Sequence, residues 1–138
     1  MSERLFTPDE VNRLIPRLTE LMEAAIDRHR QALALQERLR EDRARVAASG
    51  GERLDAMEWK ARAERLDGLG IEIRHLLGEV QALGGVIKDL EMGLVDFPGR
   101  GPAGRGGDIV NLCWKLGEDE VGFWHGMDEG FANRKPLS

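Results

Sequence analysis

The chain has 138 residues, the size of one ordinary domain. Charged residues make up 33% and aromatics only 5%, with no Tyr, which argues against a β-sandwich or barrel and for a helical, charge-laced protein. The net charge of −5 is spread evenly, with 14 Lys/Arg against 16 Asp/Glu in residues 1–83 and 6 against 9 in 84–138, so no basic domain points to nucleic acid as the partner.

In chain order, the first predicted element is a long helix. Thr7-Pro8-Asp9-Glu10 reads as a capping box with Pro at the first helical position, and Phe6 and Val11 fit a hydrophobic staple. Pro16 lacks an N–H, which predicts a kink or short break near Ile15, after which the helix continues to about Ala48. Leu14, Leu18, Leu21, Ala25, Arg28, Ala32, Leu35 and Leu39 form a heptad seam, and Ser49-Gly50-Gly51 reads as a turn. A second helix is predicted from about Glu52 to Leu83, with the seam Trp59, Arg62, Leu66, Leu69, Ile73, Leu76, Val80 and Leu83. Folding the hairpin at Gly50 sets Ala32 near Leu69 and Leu18 near Leu83. It also sets Arg28 near Glu72, and Arg62 near Glu37 or Glu41.

After Gly84-Gly85 the composition changes, with 12 of the 17 glycines lying in residues 84–138. Strands are predicted at residues 86–89, 93–97, 109–116 and 121–125, with a loop from Pro98 to Gly107 and an irregular tail from Gly126. In the clearest strand, Val110, Leu112, Trp114 and Leu116 take one face while Asn111, Cys113 and Lys115 take the other. The expected fold class is therefore α+β. It consists of a long antiparallel helical hairpin, its first helix kinked at Pro16, packed on a small C-terminal antiparallel β-meander within a single domain spanning 1–138.

The order Gly85-Val86-Ile87-Lys88-Asp89, Gly93-Leu94-Val95-Asp96-Phe97-Pro98, Leu112-Cys113-Trp114-Lys115-Leu116-Gly117-Glu118, Trp124-His125 and Glu129-Gly130-Phe131, with Arg134, resembles the bacterial DUF2203 family. The opening Phe6-Thr7 through Leu14-Ile15-Pro16 is similar to that family's start. The family is one of unknown function, so the resemblance implies a single domain and no reaction.

A lone cysteine, Cys113, cannot form an internal disulfide, and the first residues lack the basic and apolar runs of a signal peptide. No run of about 18 apolar residues exists, so no membrane span is expected and the cytoplasm is the default.

Residue types able to hold a metal or move protons concentrate in the β-rich part. Asp89, Asp96, Cys113 and Arg134 are ligand-binding candidates, and Glu118, Glu120, His125 and Glu129 are metal candidates. One His with two or three carboxylates suffices for a divalent ion with a position left for water or substrate. Read structurally instead, these are turn carboxylates, a His tying down the tail and a buried Cys acting as a small hydrophobe. On the second helix, Glu72-x-x-His75 matches the carboxylate–histidine spacing of di-iron bundles but equally fits a solvated face. The Glu37–Arg45 stretch reads as a solvated helix face, and Gly104-Arg105-Gly106-Gly107 is like an Arg-Gly-Gly RNA-binding element but stands as a single copy in an acidic protein.

Two function classes remain. One is a protein-interaction or scaffold module built on a coiled-coil-like hairpin that dimerises to cover its apolar stripes. The other is a small metal- or ligand-binding protein or enzyme, with its site where the C-terminal unit meets the helices.

Overall fold

The computed structural model describes residues 4–48, 56–101 and 108–137. Helix α1 spans Pro8–Ala48 and α2 spans Ala56–Ala82. Strands β1 (Val86–Asp89), β2 (Leu94–Arg100), β3 (Ile109–Lys115), β4 (Phe123–Gly126) and β5 (Lys135–Pro136) follow. The expected hairpin turn at Ser49-Gly50-Gly51 and the Arg-Gly-Gly segment lie outside the described residues.

The start of α1 closes as its sequence dictates. The Glu10 N–H donates to Thr7 Oγ1 at 3.1 Å, and the Thr7 N–H donates to Glu10 Oε1 at 3.0 Å. Pro16 does not interrupt the helix, which runs continuously through it. Buried Ile15 and Leu18 on either side are held in the core, and that packing outweighs the one hydrogen bond that Pro16 removes.

The two helices pack in the register their seams predict. Arg28 Nε lies 3.3 Å from Glu72, and Arg17 reaches Glu79 at 3.0 Å. Arg62 departs from expectation, because its partner is Asp42 at 2.7 Å rather than Glu37 or Glu41. One residue along a helix rotates a side chain by roughly 100°, and that step turns Asp42 inward toward α2. It is 2% exposed, with Arg45 at 3.2 Å as a second cation, so the stretch is not uniformly solvated.

The five strands form one antiparallel sheet in the order β1-β2-β3-β4-β5. Two boundaries differ from the sequence reading. Strand β2 continues through Pro98 to Arg100. Its pairing with β1 ends at Asp96↔Val86, leaving an edge on which the Phe6 N–H donates to the Pro98 carbonyl at 2.7 Å. The missing N–H of Pro98 faces that edge and costs no ladder bond. The tail is also ordered, with a 3-10 turn at Phe131–Asn133 and β5 pairing with β4.

Alternation gives the sheet two different faces. Val95, Phe97, Val110, Leu112, Trp114 and Trp124 share one core with Val11, Ile15, Leu18, Leu21, Met22 and Val80 of the helices. Gly84 ends α2 with a positive φ of 105° and lies against the Phe6 ring, where any side chain would collide. The opposite sheet face carries Asp96, Asn111, Cys113 and His125, and the C-terminal tail crosses over it.

Candidate functional site

The strand register brings the site together. Asp96 on β2 pairs directly with Cys113 on β3, and His125 on β4 pairs with Asn111, two residues from Cys113 on the same face. Asp96, Cys113 and His125 are 1%, 1% and 2% exposed. One ligand atom from each, a carboxylate oxygen, Sγ and an imidazole nitrogen, lies within 4.8 Å of the other two. Among the described residues this is the one such group of three metal-ligating side chains.

The protonation pattern of this group is unusual. His125 Nδ1 lies 2.9 Å from the Gly126 carbonyl, an acceptor only, so Nδ1 carries the proton. On a neutral ring that leaves Nε2 as a bare lone pair, 3.0 Å from Asp96 Oδ2. The contact has the distance of an ion pair, yet neither Asp96 oxygen receives an aligned hydrogen bond. Burial pushes the Asp96 carboxyl above its ordinary range, an effect that His125 only partly offsets. Burial, reinforced by the Asp96 charge, pushes the Cys113 thiol up to about 11, with Arg134 pulling the other way. Two acceptors and a thiol thus converge on one point.

A cavity of about 280 Å³ opens beside the group, walled by Lys88, Asp89, Met92, Glu129 and Phe131. The other predicted candidates have defined positions. Asp89 Oδ1 accepts from the Met92 N–H at 2.9 Å and closes the β1–β2 turn. Glu129 Oε1 accepts from the Gly126 N–H at 2.7 Å and from Lys135 at 2.9 Å, which together hold its carboxyl below the usual range. A Cβ at Gly126 would sit 2.9 Å from that oxygen and would push the Glu129 side chain aside. Glu118 is turned away from the group. It accepts from the Lys115 N–H at 2.7 Å and from Arg134 at 3.3 and 3.0 Å. Glu120 is exposed at a turn. Arg134 stacks over Phe123 at 3.9 Å and Phe131 at 4.5 Å, clamping the tail across the sheet.

The group lies on the sheet face turned away from the helices, not at the helix–sheet junction where the sequence reading put a site. The inner face is filled by large apolar side chains, so polar groups collect on the outer one. The helical Glu72-x-x-His75 pattern does not assemble a site, because Glu72 pairs with Arg28 and Arg65 while His75 is 75% exposed. No helix among the described residues is long and apolar enough to cross a membrane.

Residues 4–137 match the family described as "Uncharacterized conserved protein (DUF2203)". The chain belongs to the DUF2203 family. No match was found among curated proteins or solved structures. In this DUF2203 chain the sequence marks Asp96 and Cys113 as ligand-binding candidates and His125 as a metal candidate, with nothing local to join them. Cys113 already showed as a polar-face residue of a clear strand, and the missing signal was cross-strand pairing, which spacing along the chain does not carry.

Proposed function

We propose that this protein binds one divalent metal ion, of the zinc class, through Asp96, Cys113 and His125. The observation that carries the reading is the buried Asp96 carboxylate, with no aligned donor on either oxygen, facing His125 Nε2. A cation at that point satisfies both acceptors at once. The Nδ1 contact to the Gly126 carbonyl is the kind of outer contact that fixes a ligating histidine in the tautomer a metal needs. One carboxylate, one thiolate and one imidazole make a mixed donor set that suits zinc. Three protein ligands leave a coordination position for water or a small ligand, and the adjoining cavity supplies room for one.

A nucleophilic Cys113 is disfavoured by the same geometry. Its thiol stays protonated at neutral pH, and His125 faces Asp96 through Nε2 while its Nδ1 contacts the Gly126 carbonyl. The reading takes the protein to be cytoplasmic, where a lone thiol stays reduced.

The test is the metal content of the purified, untagged chain by inductively coupled plasma mass spectrometry. The expected result is near one equivalent of zinc, lost in Asp96→Ala, Cys113→Ser and His125→Ala but kept in Glu118→Gln and Glu120→Gln. Cobalt substitution should give a thiolate charge-transfer band that Cys113→Ser removes. Metal content indifferent to all three ligand variants, with folding intact by circular dichroism, overturns the proposal. The interaction-module reading attaches to a different face, the distal hairpin.

A further inference from the structure

The core shared with the sheet reaches only to Met22 on α1 and Leu76 on α2. Farther along, α2 is poorly covered, and across its 27 residues only Leu69 and Val80 are buried. A groove of about 650 Å³ opens between the helices, lined by Leu33, Leu66, Asp67, Gly70, Ile71 and Arg74. Leu33 is 45% exposed there and Ile71 is 60% exposed, so the groove offers apolar surface of the kind that marks an interaction site.

The charges on α2 indicate what covers it. Nearly every acidic and basic side chain of this helix has an opposite charge within ion-pair distance. Asp67 and Arg74 are the exceptions among the described residues, and both line the groove. They have opposite signs and sit symmetrically about the Gly70–Ile71 bond, roughly 10 Å apart along the axis. A two-fold axis through that midpoint runs a second α2 antiparallel to the first and sets Asp67 against the partner's Arg74, twice. The same operation sets Ala63 against the partner's Gly78. No heavy atom outside the helix's own backbone lies within 4 Å of the Cβ position at Gly78, so the helices can approach closely there. Self-complementarity of this sort is what an isologous interface requires.

We infer that a second copy of this chain docks on this groove, α2 against α2 and antiparallel, with Gly70 and Ile71 at the two-fold axis and two Asp67–Arg74 ion pairs flanking them. The metal site takes no part in this interface.

Sedimentation equilibrium on the full chain tests it. The wild type is expected to be a dimer. Asp67→Arg alone and Arg74→Asp alone should each weaken the dimer by roughly tenfold or more, since each turns two attractions into two repulsions. The double charge swap should restore it, and Ile71→Glu should give a monomer. All three positions of change are exposed, so helicity by circular dichroism should hold. A monomeric wild type, a dimer indifferent to the single reversals, or a double swap that fails to restore association each overturns the inference.

Discussion

Ionising Asp96 places a buried charge where neither oxygen receives an aligned hydrogen bond. Its folded pKa lies above the ordinary 3.8, so the stability its proton provides is complete below that value. That stability is lost as pH rises through the folded pKa. Asp96→Asn removes the ionisation and offers an amide N–H to His125 Nε2. Thermal melts of chelator-treated protein at neutral pH should find the variant more stable by about 1–3 kcal/mol, and zinc should stabilise only the wild type. Cys113 follows the same sign. Its contribution is present below pH 9.0 and lost as pH climbs through about 11. Zinc binding must displace the thiol proton, so affinity should rise by roughly tenfold per pH unit near neutrality, and calorimetry in buffers of different ionisation enthalpy should find at least one proton released. Asp96, Cys113 and His125 were each legible in the sequence as chemically capable. That they form one group was not, because their spacings of 17 and 12 positions match no ligand template.

At the scale of elements, the tail is the part that sequence patterning misread. Residues 126–137 have no alternation strong enough to announce a strand, yet they are held by contacts with distant residues. Arg134 joins the tail to Glu118 through two hydrogen bonds and to Phe123 by stacking. Arg134→Ala should cost about 1–3 kcal/mol and uncover Cys113, measured as a faster reaction with a thiol reagent. Arg134→Lys should recover little, since an ammonium lacks the planar fork that stacks and bridges at once. On the hairpin, the capping box was fully readable because it is local, and Thr7→Ala should cost about 1 kcal/mol in denaturant melts. Asp42 was not readable. Its neighbours Glu41 and Glu37 carry the same charge, and only the packed helices decide which carboxylate turns toward Arg62. Asp42→Ala leaves Arg62 half-buried without that partner, and hydrogen exchange near the hairpin tip should speed up.

Across the whole molecule, three layers stack in order: the helical hairpin, the sheet and the C-terminal tail. The hairpin's apolar stripe covers one sheet face, the tail covers the other, and the candidate metal group is enclosed between the sheet and the tail. The distal hairpin extends beyond both, and if a second copy covers it the melting temperature should rise with protein concentration, as it does for any folded state held by association. The sequence by itself determined the class of the fold, the two matched helical seams, the first helix cap, the cores of the strands and which face of β3 is apolar. All of these follow from short-range periodicity and hydrogen bonding that a few consecutive residues specify. Only the tertiary structure decided that Pro98 lies on an open edge, that the tail forms a strand, and that Asp96, Cys113 and His125 meet on the face away from the helices. It alone also decided which charges of α2 lack partners. These depend on registers between segments far apart in the chain, and a register is set by the packing of the whole core rather than by the residues it aligns.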